Sequence, residues 1–229
     1  MENKKNAPIG VFDSGVGGLT VVREITRQLP EENIVYFGDT ARVPYGNKSK
    51  ENIIRFSKQI IRFLKTKQVK AIVIACNTAS ALALDAVRET FEIPILGVVV
   101  PGARAAVEAT QNGNVGVVGT DATVRSKVYT RVIQAMDPTV SVIEKACPLF
   151  VPLVECGRVT PGDIVIETVA AEYLAPLKAE GVDTLILGCT HYPLLTEIIS
   201  NFMGPDVQLV SSGAETAEYV AQVLQDREM

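Results

Sequence analysis

Short apolar runs alternate with amphipathic stretches along the whole chain. The runs that read as strands are residues 8–12 (PIGVF), 33–37 (NIVYF), 71–76 (AIVIAC), 93–99 (IPILGVV), 114–118 (NVGVV), 139–143 (TVSVI), 184–188 (TLILG) and 206–210 (DVQLV). Several are apolar without alternation, the pattern of strands covered on both faces in a parallel sheet. Helical patterns fill the intervals at 18–29, 49–67, 79–90, 122–136, 163–180, 192–202 and 214–227. Strand and helix alternate throughout, which predicts an α/β fold built from βαβ units.

The pattern repeats. IGVFDSGVGGLTVVREI at 9–25 resembles VGVVGTDATVRSKVYTRVI at 115–133, each a strand, a small polar turn and a helix. A similar distance downstream, KAIVIACNTASAL at 70–82 resembles DTLILGCTHYPLL at 183–195. Both of these are apolar strands that end in a cysteine followed by polar residues. Two similar domains, each a mostly parallel sheet flanked by helices, are the simplest reading. Pro and Gly mark a break near Val100-Pro101-Gly102 and a return near Gly204-Pro205. The first domain is therefore expected to hold 1–99 and 206–229, and the second 100–205.

Composition narrows the classes. The chain has 229 residues, 47% hydrophobic and 21% charged, with a net charge of −4, enough for a substantial core. It has no basic stripe of the kind a nucleic-acid binder uses. No apolar run is long enough to span a membrane, and no secretory h-region follows the charged N-terminus. The expectation is a soluble cytoplasmic protein that contacts neither nucleic acid nor membrane. The four cysteines (Cys76, Cys147, Cys156, Cys189) and the single histidine (His191) lack zinc-site spacing, and no GxGxxG or P-loop is present. No metal or cofactor is expected.

In open α/β sheets, ligands sit at the carboxyl ends of the strands. Four such ends carry polar residues: Asp13-Ser14, Cys76-Asn77-Thr78, Gly119-Thr120 and Cys189-Thr190-His191. If the two domains face each other, these ends line one cleft. A cysteine between a strand and a helix start meets backbone N–H groups that favour a thiolate, although a buried cysteine can equally pack as a small hydrophobe. Two thiols on one small-molecule site suit proton removal from one face of a carbon and delivery to the other. Asp13 on its own reads equally as a helix N-cap, and Glu155 as a surface residue. Cys147 and Cys156 lie outside the repeat-equivalent positions and read as structural.

The stretches GVFDSGVGGLTV, YFGDTARVPYG, ACNTASA, GVVGTDATVRS, CPLFVPLVE, LGCTHYPLL and SGAETA run in order along nearly the whole chain. In them the sequence resembles the cofactor-independent aspartate/glutamate racemase family, on its glutamate racemase side. The resemblance implies two domains related by pseudo-two-fold symmetry, with the active site in the cleft between them. It implies that Cys76 and Cys189 are the acid/base pair and that Asp13, Glu155 and His191 assist them. Asp13, Ser14, Tyr45, Gly46, Asn77, Thr78, Thr120, Thr190 and His191 would bind substrate. It further implies interconversion of L- and D-glutamate without cofactor, D-glutamate for peptidoglycan and hence cell-wall biogenesis and cell shape, and a homodimer. An aspartate racemase, a non-catalytic amino-acid binder and a cysteine hydrolase built on Cys189 and His191 remain alternatives; the last leaves Cys76 unexplained.

Overall fold

The computed structural model describes residues 5–229 and separates into two compact units. One runs up to Val98 and resumes at Gly213–Met229; the other is Val99–Ser212. Each contains one sheet of four parallel strands.

In the first unit the strands are β1 (Ile9–Asp13), β2 (Ile34–Gly38), β3 (Ala71–Ile74) and β4 (Ile95–Gly97), in the order β2-β1-β3-β4. Successive side chains point to opposite faces, so each central strand feeds two cores. Ile72 and Ile74 pack with Phe12 against α2 (Lys50–Thr66) and α3 (Asn77–Arg88). Ala71 and Val73 pack with Ile9 and Val11 against α1 (Leu19–Gln28) and the last helix, α10 (Ser212–Asp226). Burial on both faces is why these strands read as unbroken apolar runs. Ser49 starts α2 by accepting the Asn52 amide at 3.3 Å.

The second unit repeats the design. Its strands are β5 (Asn114–Gly119), β6 (Ser141–Ala146), β7 (Thr184–Gly188) and β8 (Gln208–Ser211), in the order β6-β5-β7-β8. One face packs Val115, Val117 and Ile186 against α4 (Val99–Ala109) and α6 (Val128–Met136), the latter preceded by the short α5 (Asp121–Ser126). The other packs Leu185 and Leu187 against α7 (Phe150–Glu155), α8 (Ile164–Ala179) and α9 (Thr196–Met203). The repeated sequence segments thus become the paired central strands, β1 with β3 and β5 with β7.

The first unit ends at Val98, one residue from the expected boundary, whereas the return to it falls later than expected. Val100-Pro101-Gly102 lies just past this break, inside the first turn of α4. Pro101 sits in the first turn, where a missing N–H costs no intrahelical bond. The segment Val99–Ala109 carries Val99, Ala103 and Ala106 into the second core, so the helix belongs to that unit. The return comes later than Gly204-Pro205. Gln208–Ser211 pairs with β7 as the edge strand of the second sheet, so the chain re-enters the first unit only at Gly213. A loop rich in Pro and Gly breaks an element without changing the sheet in which the next strand pairs.

Candidate active site

Both sheets have the same switch point. From β1 the chain steps to β2 on one side and β3 on the other, which opens a crevice at the carboxyl ends of β1 and β3. The same holds for β5 and β7. These are the ends at which the sequence places its polar residues.

At the first switch point β1 ends in Asp13, fully buried, and β3 leads through Ala75 to Cys76. The Ala75 amide still donates to Phe12 O at 2.8 Å, which holds Cys76 beside the end of β1. Asp13 is not the N-cap of α1, which begins after Gly18; its Oδ2 accepts the Gly15 amide at 3.0 Å within the turn. Cys76 is the N-cap of α3, its Sγ accepting the Ala79 amide at 3.4 Å, and Ser14 also hydrogen-bonds to the sulfur. Asn77 and Thr78 follow, both buried in the first turn of α3.

These donors do not make Cys76 acidic. Burial, followed by the Asp13 charge, pushes the thiol up to about 12, and the Ala79 and Ser14 hydrogen bonds offset only part of that. The thiolate expected from the helix start is therefore overruled by desolvation, and Cys76 rests as a thiol. Among the candidate substrate-binding residues, Asn77 and Thr78 stand at the N-terminus of a long α-helix. Ser14 opens a turn five residues before α1, and Thr190 precedes a 3₁₀ turn.

Tyr45 and Gly46 lie in a 3₁₀ turn, Tyr45–Asn47. The Tyr45 ring is buried and its hydroxyl donates to Asp39 Oδ2. Arg42 Nε holds the same carboxylate at 2.7 Å, and the Asp39 amide donates to Asp13 O at 3.0 Å. The Tyr45 hydroxyl is thus committed to the protein. Asp39 and Arg42, which tie this turn to the end of β1, were not singled out by sequence; only the YFGDTARVPYG stretch pointed at them.

At the second switch point Gly119 sits opposite Gly188. A Cβ on Gly188 would come within 2.7 Å of Val118 O, so the close approach of β7 to β5 requires glycine. Thr120 caps α5, its Oγ1 accepting the Thr123 amide at 3.3 Å. Cys189, Thr190 and His191 are all buried. The expected helix at 192–202 is divided into a 3₁₀ turn, Tyr192–Leu195, and α9, with Pro193 unable to donate an intrahelical bond.

His191 joins two groups. Its Nδ1 lies 3.9 Å from Cys189 Sγ and its Nε2 lies 3.1 Å from Glu155 Oε1. The Glu155 side chain, at the end of α7, is 42% exposed while His191 is buried. A thiol, an imidazole and a solvent-reaching carboxylate thus form a chain able to orient and pass a proton. Tyr129, missed by sequence, is buried beside this arm; burial holds its phenol protonated, and Ser212 hydrogen-bonds to it.

Cys147 is buried after β6, its thiol pushed up to about 12 chiefly by burial, and its carbonyl accepts the Tyr192 hydroxyl at 3.0 Å. Cys156 is exposed. Among the described residues no group of three or more His, Cys, Asp or Glu could hold a metal ion, and no helix is long and apolar enough to cross a membrane.

Comparison with known proteins identifies the family. A family model described as Asp/Glu/hydantoin racemase matches residues 9–220. The chain is 52% identical to a glutamate racemase of Geobacter metallireducens over 221 residues, which is 96% of this chain and 81% of the relative. A solved glutamate racemase of Bacillus anthracis superposes with a TM-score of 0.94 at 45% identity, covering 97% of this chain and 83% of that one. The glutamate racemase of Francisella tularensis, solved in complex with D-glutamate, superposes at 0.90 and 41% identity, covering 97% and 82%. With two matching sheets, a cysteine at each switch point and a family match across most of its length, the chain belongs to the Asp/Glu/hydantoin racemase family of isomerases.

Proposed function

We propose that this chain interconverts L- and D-glutamate by a two-base mechanism in which Cys76 and Cys189 act on opposite faces of the α-carbon. The observation that carries this is the equivalence of the two arms. Each central strand pair ends in a cysteine backed by its own ionisable partner, Asp13 for Cys76 and His191–Glu155 for Cys189. The names of the relatives, glutamate racemases, and the D-glutamate bound in one of them support the choice of substrate.

One cysteine, as thiolate, takes the α-proton, and the electron pair passes into the carboxylate as an enediolate. The other, as thiol, gives its proton to the opposite face. The enzyme is left with the two protonation states exchanged, ready for the reverse reaction, so no redox partner or carrier group enters the balance. Each positioned acid or base supplies about 10²–10⁴-fold, or roughly 3–5 kcal/mol. Orientation and electrostatic stabilisation of the enediolate must supply the rest. The N-terminus of α3 at Asn77 and Thr78 suits a substrate carboxylate.

Ionising Cys76 at pH 7 from a pKa of about 12 costs about 7 kcal/mol. The substrate's α-ammonium, held nearer the sulfur than the carboxylates, offsets part of this, since a unit charge about 4 Å away contributes at most about 4 kcal/mol at an effective dielectric of 20. Thiolate formation is therefore coupled to substrate binding, and the empty site keeps an unreactive thiol. The family resemblance extends the proposal to supply of D-glutamate for peptidoglycan and to a homodimer.

The test incubates the purified protein with L-glutamate in D₂O after treatment with a chelator and without added cofactor. D-glutamate carrying α-deuterium is expected; its absence refutes the reading. Cys76→Ala and Cys189→Ala should each abolish racemisation with the fold intact by circular dichroism. Faster turnover of aspartate than of glutamate would assign the chain to the aspartate branch.

A further inference from the structure

We infer that Tyr36 is a positioning residue for the Asp13–Cys76 arm, acting through the turn that follows β1. The inference rests on the two-base reading above and gives a role to a residue that opens the YFGDTARVPYG stretch but was assigned none there.

Tyr36 stands on β2, the strand paired to the outer side of β1, with Tyr36 opposite Val11. Its hydroxyl donates to Gly15 O at 2.6 Å, and the Gly18 amide hydrogen-bonds to the hydroxyl oxygen. One phenol thus ties both ends of the Gly15–Gly18 turn. Gly15 in turn donates its amide to Asp13 Oδ2 at 3.0 Å. The Asp13 carboxylate is therefore aimed by a backbone segment whose other end is pinned by Tyr36.

The packing leaves this arrangement no slack. A Cβ on Gly18 would lie 2.4 Å from Asp13 Cβ and 2.8 Å from the Tyr36 hydroxyl oxygen. A Cβ on Gly38 would lie 2.6 Å from Gly15 O and 3.3 Å from Tyr36 Cε1. Glycine at 18 and at 38 lets the turn close onto the phenol. Burial, with the charge of Asp13, keeps the phenol protonated, so it donates to Gly15 and does not itself serve as a base.

Removing the hydroxyl while keeping the ring releases Gly15 O and loosens Asp13 without opening a large cavity. The test compares wild type with Tyr36→Phe, using L- and D-glutamate and their α-deuterated forms. The two enantiomers are equal in free energy, so kcat/KM must fall by the same factor in both directions; a fall of about fivefold to fiftyfold is expected. The discriminating readout is the deuterium isotope effect on kcat/KM. Slowing only the Cys76 step makes that step more rate-limiting. The isotope effect should rise for the enantiomer whose proton Cys76 removes and fall for the other. Asp13→Asn should shift both effects in the same senses, and His191→Asn in the opposite senses.

Isotope effects unchanged in Tyr36→Phe, or changed in the same sense for both enantiomers, would overturn the inference, as would kcat/KM within twofold of wild type. A thermal midpoint far below wild type with unchanged isotope effects would show a purely structural residue and also overturn it. If wild type does not racemise glutamate, the two-base reading fails first and this inference with it, an outcome distinct from failure in the variant alone.

Discussion

Replacing Asp13 by Asn separates two roles of its carboxylate. The Asn Oδ1 can still accept the Gly15 amide that Oδ2 accepts at 3.0 Å, so the turn after β1 is retained. What is lost is the negative charge beside Cys76, the largest contributor after burial to the raised thiol. Neighbouring strands lie about 4.8 Å apart, so charges at their ends are about 5 Å apart. At an effective dielectric of 20 such a pair repels by about 3 kcal/mol, an upper bound of about two pKa units. Burial remains, so the variant thiol should titrate lower than the wild-type value of about 12 yet stay above its ordinary value of 9.0. At pH 8.5 the thiolate fraction, and with it the rate of iodoacetamide alkylation of Cys76, should rise about 10–100-fold. Quantifying the Cys76 peptide by mass spectrometry over a pH series measures this. Racemisation should nevertheless fall by about 10²-fold, because an amide cannot take a proton from the thiol. Alkylation of Cys76 that is unchanged or slower in Asp13→Asn would refute the electrostatic reasoning. Racemisation that rises with thiol acidity would refute the assisting role of Asp13.

Glu155→Gln keeps the size of the side chain but removes the charge 3.1 Å from His191 Nε2. Because Glu155 is 42% exposed, the thermal midpoint should move little, as for a surface pair worth about 0–1 kcal/mol. Steady-state turnover should fall about tenfold, so an unchanged kcat would remove Glu155 from the relay. The raised thiols of Cys76 and Cys147 also set a pH dependence of stability. Each has an ordinary value of 9.0 and a folded value of about 12. The protonated thiol is favoured by the fold, so this stability is complete below pH 9 and is lost as pH rises toward 12. Urea unfolding should therefore weaken by about 1 kcal/mol per pH unit per thiol across that window. Stability that rises above pH 9 would contradict the burial of both groups.

The strand ends were legible because their signal is local. An apolar run covered on both faces, ending in Asp13, Cys76, Thr120 or Cys189, needs only chain-neighbour information, and the internal repeat exposed the equivalence of the two cysteines. Sheet order, however, depends on which strands meet. Gln208–Ser211 looks like any other buried strand, and only its pairing with β7 assigns it to the second unit. The helix Val99–Ala109 was hidden for a related reason: Val99, Val100 and Pro101 favour extended chain, and packing against Val115, Val117 and Ile186 overrides that preference.

Chemistry divides along the same line. Sequence by itself determined which residues reach the strand ends, since a strand followed by a turn delivers its next side chains to one edge of the sheet. Tertiary structure decided their electrostatic state and their partners. Cys76 follows a strand and precedes a helix, which locally favours thiolate, but burial beside Asp13 reverses the balance because desolvation of a charge outweighs the Ala79 and Ser14 hydrogen bonds. His191 and Glu155 are 36 residues apart in sequence, and only the packing of α7 against the turn after β7 brings imidazole and carboxylate to 3.1 Å. Hydrophobic pattern is written residue by residue along the chain, whereas the field at a thiol is a sum over everything folded around it.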